Sequence, residues 1–207
     1  MYKCAKCGTE GCARGDLSKT LPVCPSLDKE TQNAISQLYQ DEENYAIAHN
    51  AALVEAEGYC QKTRIEEILD FIEKMHYRKI GLLFCMGLKK EANEVQKIME
   101  HRGLEVSSAV CKNGALPKKL VGIDDNQKIA GCSDEIMCNP IGQALFMNKE
   151  KTEFNVILGL CVGHDTLAIK YLEAPVTILA VKDRVTGHNP LVPIYLAQSY
   201  YHDKLYK

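Results

Sequence analysis

No run of apolar residues in this chain is long enough to cross a membrane. The longest runs, such as 80–84 and 156–160, fall far below the roughly 18 residues that a membrane-spanning helix needs. The first residues, MYKCAKCGTEGC, also lack the apolar segment of a signal peptide. We therefore expect a cytoplasmic protein with no membrane partner.

An excess of charge of one sign is also missing. The formal net charge is −2 and the isoelectric point is about 6.3. Lysines and acidic residues are interspersed along the chain, and no charged tail is formed. Proteins that bind nucleic acid generally carry a basic surface, so this balance predicts no nucleic-acid partner.

Three widespread motifs of enzyme sites are absent from the sequence. No GxGxxG follows the first predicted strand, and there is neither a P-loop nor a Gly-x-Ser-x-Gly elbow. The sequence therefore gives no support to dinucleotide binding, to nucleoside triphosphate binding or to serine-hydrolase chemistry.

Cysteine, in contrast, is abundant, with ten in 207 residues. Structural disulfides rarely persist in the reducing cytoplasm, so thiols at this density indicate metal or redox chemistry. The apolar fraction of 46% and the charged fraction of 25% are those of a folded globular chain, which excludes disorder.

The chain divides into two parts by composition. Residues 1–27 are rich in Cys and Gly and lack apolar periodicity, so they predict a small metal-binding knuckle. Residues 28–207 predict an α/β domain that begins with a helical segment. Strands and helices alternate in it, which predicts a parallel sheet of about four strands with helices on both faces. The predicted strands are Lys79–Phe84, 104–110, Phe154–Leu160 and 175–181.

Local signals mark two helix starts and one long loop. Thr63 with Glu66 predicts a capping box, and Asn139 followed by Pro140 predicts an N-cap and first helical position. The stretch 112–138 has no periodicity, and an irregular segment of that length is more often functional than not. After Gly187 we expect a loop and a closing helix through Tyr195.

The strongest local motif is Cys4-x2-Cys7-x4-Cys12-x11-Cys24. A Cys-x2-Cys turn presents two thiolates on one side, and two more thiolates complete a tetrahedral zinc site. An iron–sulfur cluster also takes four cysteines, but this spacing matches neither common ferredoxin pattern. The motif therefore favours zinc and leaves an iron–sulfur cluster as the alternative.

A second group of cysteines falls where the predicted strands end. Ligands of parallel sheets bind at the carboxyl ends of the strands, and crossover helices begin at the same edge. Five thiols are predicted there as ligands of a second metal or cluster: Cys60, Cys85, Cys111, Cys138 and Cys161. Cys132 lies in the long loop, and its role is left open. More than four thiols at one edge favour an iron–sulfur cluster or a metal with a reactive thiol pair over a second zinc.

Polar residues follow the third and fourth predicted strands at the same edge. The histidines are candidate ligands or acid–base groups, the aspartates candidate orienting groups, and the lysine and arginine candidate binders of a small anionic substrate. These candidate catalytic residues are His164, Asp165, Lys182, Asp183, Arg184 and His188.

The motifs together resemble an uncharacterised metal-binding family that is known only as a domain of unknown function. The resemblance covers essentially the whole chain and rests on Cys4-x2-Cys7-x4-Cys12, 59–67 (YCQKTRIEE), 85–92 (CMGLKKEA), 138–144 (CNPIGQA), 159–165 (GLCVGHD), 174–177 (APVT), 182–185 (KDRV) and 187–190 (GHNP). It implies a metal-binding protein of anaerobic microbes with no established reaction.

Two hypotheses follow from the sequence. In the first, the N-terminal cysteines hold zinc and the carboxyl edge holds a second metal or an iron–sulfur cluster, with redox or sulfur-transfer chemistry on a small anion or with a redox partner. In the second, the protein is a non-catalytic binding module, zinc is purely structural, and the other thiols are packed in the core. The sequence does not decide whether the protein is an enzyme.

Overall fold

The computed structural model describes residues 1–129, 131 and 134–207, and it divides into two compact units, Met1–Tyr59 and Cys60–Lys207. The first unit holds the cysteine-rich segment in three short 3-10 turns, followed by two helices. Asp28 and Asp41 cap these helices through their carboxylates. The turns are Cys4–Lys6, Leu17–Lys19 and Pro25–Leu27, and the helices are α1 (Lys29–Leu38) and α2 (Glu42–Gly58).

The second unit alternates helices and strands along the chain. Its elements are α3 (Arg64–Lys74), β1 (Lys79–Phe84), α4 (Lys89–His101), β2 (Glu105–Val110), α5 (Pro140–Glu150), β3 (Phe154–Leu160), α6 (His164–Tyr171), β4 (Val176–Val181), α7 (Val192–Tyr195) and α8 (His202–Leu205). The four predicted strands are confirmed, two of them beginning one residue later than expected.

The strands form one sheet in the order β2-β1-β3-β4, and every neighbouring pair is parallel. The ladder aligns Phe84 at the end of β1 with Val110 of β2 and Leu158 of β3. The carboxyl ends of β1, β2 and β3 therefore lie side by side at one edge of the sheet. This confirms the predicted parallel α/β architecture.

Two apolar cores cover the two faces of the sheet. On one face, Ile80 and Leu82 of β1 pack with side chains of α3 and α4, including Ile72 and Met99. On the other, Leu83 packs with side chains of α5 and α6. Successive residues of a strand point to opposite faces, so a continuous apolar run is required where both faces are buried. Helices on both faces are thereby confirmed.

The predicted helix starts are also confirmed. Thr63 and Glu66 form a capping box at α3, and the Asn139 side chain accepts a hydrogen bond of 2.9 Å from the Gly142 amide at the start of α5. The long loop is more ordered than its composition suggested, because Pro117 and Ile136 form an antiparallel bridge. Within this loop lie the 3-10 turns Asn113–Ala115, Lys118–Val121 and Asp125–Gln127.

The C-terminal segment contains the expected helix ending at Tyr195, and α8 adds a second short helix that the sequence did not indicate. In the part of the chain that the structure describes, none of the helices combines the length and the apolar character needed to span a bilayer.

Gly81 in β1 provides a test of this packing. A Cβ at residue 81 would lie 2.0 Å from Oδ1 of the buried Asn155 and 2.8 Å from Sδ of Met147 in α5. We expect Gly81→Ala to lower the free energy of unfolding by about 1–3 kcal/mol, the usual cost of overpacking a core, as measured by urea denaturation.

Gly87→Ala is the matched control, because a Cβ there would meet only ordinary contacts, the nearest at 3.6 Å. Equal stability of the two variants would contradict the tight approach of β1 and α5.

Candidate functional site

Four cysteines lie at the carboxyl edge of the sheet, and we call them the rim cysteines: Cys85, Cys111, Cys138 and Cys161. Three of them directly follow β1, β2 and β3, and Cys138 directly precedes the N-cap of α5. Backbone hydrogen bonds extend the ladder to these positions, from the Cys85 amide to Leu158 O (3.1 Å) and from the Cys111 amide to Phe84 O (2.9 Å). The Asn139 amide donates a hydrogen bond of 2.7 Å to Cys111 O, which places the start of α5 against the end of β2.

The side chains of Cys111, Cys138 and His164 form a hydrogen-bonded series. Cys111 is 2% exposed, and its Sγ accepts a hydrogen bond of 3.3 Å from the Met86 amide. Its thiol is hydrogen-bonded to Cys138, which is in turn hydrogen-bonded to His164 at the first position of α6. Cys138 is only partly buried, so it is the member of the thiol pair that solvent can reach.

This series separates the acidities of the two thiols. The hydrogen bond from Cys111 holds the pKa of Cys138 well below its usual range, and the bond from His164 and the charge of Lys112 act in the same direction. The hydrogen bond to Cys138, together with burial, raises the pKa of Cys111. At neutral pH, Cys138 is therefore the thiolate of the pair and Cys111 its proton-bearing partner.

Cys161 is paired with an arginine rather than with another thiol. The Arg184 guanidinium donates a hydrogen bond of 3.2 Å to Cys161 Sγ, and this contact raises the pKa of Arg184. Charges on Cys85 and Cys138 act on the same guanidinium. A cation thus lies close to several rim sulfurs.

Lys182 follows β4, and its backbone amide donates a hydrogen bond of 2.9 Å to Leu160 O. Its ammonium lies above two glycines of the rim, Gly87 and Gly159. The basic group expected at this edge is therefore within the site.

The remaining polar candidates form hydrogen bonds within their own segments of the chain. Asp183 Oδ1 accepts hydrogen bonds from the amides of Val185 (2.9 Å) and Thr186 (3.0 Å), and these bonds lower the pKa of Asp183. His188 Nδ1 accepts the Asp183 amide at 3.1 Å. Asp165 Oδ1 accepts the neighbouring Thr166 amide at 2.8 Å. These contacts hold the loop that carries Arg184 and the first turn of α6, which carries His164.

Cys60, the fifth cysteine predicted at this edge, is exposed and takes part in none of the contacts that join the rim cysteines. Cys132 lies outside the described residues.

Gln143 lies within one of the family motifs, but the sequence analysis assigned it no role in the site. It is fully buried in α5, and its Nε2 donates to Phe84 O at 3.1 Å and to Ala109 O at 2.6 Å. Phe84 directly precedes Cys85, and Ala109 lies two residues before Cys111. Among the described residues, its Oε1 has no hydrogen-bond partner. The available signal was a polar residue within the buried face of a helix.

The N-terminal cysteines are less closely gathered. Cys4, Cys7 and Cys24 line one small cavity of about 20 Å³, and Cys12 is exposed. Thr9 Oγ1 lies 3.4 Å from Cys7 Sγ, and this hydrogen bond lowers the pKa of Cys7. Across the described residues of both units, no three Cys, His, Asp or Glu side chains converge closely enough to enclose a single ion. Metal binding at either predicted site stays a prediction.

Comparison with known proteins identifies relatives of this chain. Residues 24–179 match the family described as Protein of unknown function (DUF1847). The chain is 41% identical to Uncharacterized protein MJ0455 of the archaeon Methanocaldococcus jannaschii over 203 residues, which are 98% of this chain and 97% of that protein. No solved structure matches. The expected resemblance to an uncharacterised family is confirmed, and the matched span contains all four rim cysteines.

The reactivity of Cys138 tests the hydrogen-bonded series. Because its pKa is lowered, its thiolate persists as the pH falls below the range in which ordinary thiols ionise. In reduced, chelator-treated protein at pH 6, iodoacetamide should alkylate Cys138 faster than Cys60, as followed by peptide mass spectrometry.

Cys111→Ala removes the main hydrogen-bond donor and should shift the onset of Cys138 alkylation to higher pH. Cys111→Ser keeps a donor at the same position and is the matched control. If both variants follow the wild-type pH profile, Cys111 does not set the acidity of Cys138.

Proposed function

The chain belongs to the DUF1847 family, whose function is unknown, and from its own side chains we propose that it binds a thiol-liganded metal centre at the carboxyl edge of the sheet. The observation that carries this proposal is the meeting of four cysteines from four separate segments with three basic side chains, His164, Arg184 and Lys112. Soft thiolate ligands select zinc, copper(I) and iron–sulfur clusters.

Four thiolates can hold either a single zinc ion in a tetrahedral site or an iron–sulfur cluster. We favour the cluster because apolar burial already stabilises the sheet beneath the rim, so a metal there is not needed for folding and can serve a chemical role. Cys85, Cys111, Cys138 and Cys161 would be the ligands.

The surrounding residues of this chain fit such a centre in charge. The Arg184 guanidinium donates to a ligand sulfur, and hydrogen bonds of this kind are one of the means by which proteins tune cluster potentials. His164 is hydrogen-bonded to Cys138, so a second polar group besides Arg184 contacts the ligand sulfurs. When bound, a cluster would supply one-electron transfer or sulfur chemistry in a cytoplasmic setting.

For the N-terminal unit we propose a structural zinc site. Cys4, Cys7 and Cys24 already share one cavity, and the exposed Cys12 would be the fourth ligand. No side chain in the three 3-10 turns of this segment is buried, so the metal would supply much of the folding energy.

The contact between Cys111 and Cys138 favours a second candidate function, dithiol–disulfide exchange. The Cys138 thiolate would attack a substrate disulfide and release one thiolate. Cys111 would then lose its proton and attack Cys138 Sγ, releasing the second thiolate and leaving a Cys111–Cys138 disulfide. The substrate disulfide is reduced to two thiols, and the protein dithiol is oxidised.

Metal and acid-labile sulfide analysis of protein purified without oxygen separates these functions. A brown protein with several irons and sulfides per chain, together with one zinc, supports the cluster. Colourless protein that yields a peptide linking Cys111 to Cys138 after treatment with an organic disulfide supports dithiol exchange. Colourless protein with zinc alone and no such linkage contradicts both.

Cys161→Ser tests the ligand assignment at the rim. Loss of one of four ligands should remove most of the iron and sulfide and leave the zinc content unchanged, as measured by elemental analysis. Cys60→Ser is the matched control and should leave both contents at the wild-type values. Unchanged iron in Cys161→Ser would remove this residue from the ligand set.

Chelation tests the N-terminal site separately. Removing zinc should expose residues 1–27 to limited proteolysis at a rate many times that of the untreated protein, because this segment has little apolar core of its own. Cys7→Ser should show the same cleavage without a chelator. A cleavage pattern that does not respond to either change would contradict a structural zinc in this unit.

A further inference from the structure

Lys182 is a cation that no other side chain of the site neutralises. Its side chain is partly buried, and no other residue described in the structure forms a hydrogen bond or an ion pair with its ammonium. A buried or partly buried charge normally has a partner, because leaving water is costly for an ion. Any anionic partner of this ammonium would therefore come from the rim thiolates or from outside the chain.

The nearby acidic groups do not serve as this partner. Asp183 is engaged by the amides of Val185 and Thr186, and Asp165 by the amide of Thr166. The other basic groups are occupied differently, since Arg184 donates to Cys161 and Lys112 to the carbonyl of Ile136. Lys182 alone among these basic groups is left without an acceptor within the described chain.

Two glycines, Gly87 and Gly159, lie close to this ammonium, and the space at Gly87 is open. A Cβ on Gly87 would lie 3.6 Å from Lys182 Nζ and 3.9 Å from Cys85 Sγ, and apart from its chain neighbours it would meet no other atom within 4 Å. A Cβ on Gly159 would lie 3.7 Å from the same Nζ, but Leu88 already fills that position. The open position at Gly87 therefore lies beside both the ammonium and the Cys85 thiol.

The two glycines are present for different physical reasons. Gly159 has a φ of +68°, and its Cβ would come within 2.1 Å of Leu88 Cδ1, so the fold itself requires glycine. Gly87 has no such constraint, because a methyl group there would make only ordinary contacts. Folding alone therefore does not explain the open space at residue 87.

We propose that Lys182, above Gly87 and Gly159, binds the oxyanion group of a small substrate and holds it next to the Cys85 thiol. The class of ligand is a small molecule that carries a carboxylate or a phosphate, since either can accept hydrogen bonds from an ammonium. This proposal rests on the proposed function of the rim as a reaction site, although the binding of the anion itself needs no metal.

The proposal is tested by anion-dependent thermal unfolding of the full chain, purified without oxygen. Inorganic phosphate and acetate are compared with potassium chloride at equal ionic strength, which distinguishes the two oxyanion classes. Ligands that bind only the folded state raise the melting temperature as their concentration exceeds the dissociation constant. We expect one of the two anions to raise the melting temperature of the wild-type protein above that in chloride.

The Lys182→Gln variant should need an anion concentration at least about tenfold higher to reach the same rise in melting temperature. This is the usual loss of affinity when one charge-assisted hydrogen bond is removed. Lys149→Gln is the matched control, because Lys149 is exposed near the far end of α5. Gly87→Ala should abolish the rise, because its methyl group would occupy the open space beside Lys182 Nζ and Cys85 Sγ. The melting temperature in chloride should stay unchanged, because the methyl group makes no close contact with the core.

Three results would overturn the proposal: no rise with either anion in the wild-type protein, a wild-type response in both Lys182→Gln and Gly87→Ala, or a loss of response in Lys149→Gln as well. Iron, zinc and sulfide are measured on the same samples. Absent metal with an intact, Lys182-dependent anion response would refute the metal centre and leave the anion site standing. Lowered metal content with an unchanged anion response in Lys182→Gln would show that Lys182 serves the thiolates instead.

Discussion

The candidate site depends on backbone hydrogen bonds that continue past the ends of the strands. The Cys85 amide donates a hydrogen bond to Leu158 O in β3, and the Cys111 amide donates one to Phe84 O in β1. Both cysteines are therefore fixed by the same ladder that builds the sheet. Gln143 adds a second attachment, because its amide bridges the carbonyls of Phe84 and Ala109. A buried carbonyl that loses its donor costs about 1–3 kcal/mol, so these bonds resist rearrangement. The rim is therefore preorganised by the sheet, and it does not need a ligand to assemble.

This preorganisation explains how thiols can lie together with little mutual repulsion. Two adjacent thiolates would repel, but the Cys111–Cys138 pair shares one proton, and its charge is placed on the partly exposed member. His164 lies next to Cys138 and Arg184 faces Cys161, so negative charge at the rim is met by basic groups at the start of α6 and on the loop after β4. The loop after β4 is in turn held by Asp183 and His188. The Asp183 amide donates to His188 Nδ1, and the Asp183 carboxylate accepts the Val185 amide, so the segment that carries Arg184 is fixed.

Much of the fold could be predicted because its signals are local and physical. Continuous apolar runs such as Lys79–Phe84 are needed for strands buried on both faces, and strict topology then assigns Cys85, Cys111 and Cys161 to one edge. The contacts within that edge could not be predicted, since loop conformation decides whether Asp183 faces a ligand or its own backbone. Gln143 was missed for a related reason, because helical periodicity locates a buried face but does not say which carbonyls lie beneath it. Cys60 shows the limit of the topological argument: it precedes α3, but it is exposed and takes no part in the contacts that join the rim cysteines.

The two groups of cysteines also differ in what a bound metal would do for the protein. The rim stands on a sheet whose central residues, such as Leu82 and Val156, are wholly buried, so apolar burial alone can stabilise this unit. The segment 1–27 has no comparable core, and its cysteines are joined mainly by turns that leave their side chains at the surface. A metal in the N-terminal unit would therefore be part of the folding free energy, whereas a metal at the rim could be exchanged, oxidised or lost while its surroundings keep their shape. Because only the N-terminal unit would need a metal in order to fold, we assign a structural role to the N-terminal cysteines and a chemical role to the rim cysteines.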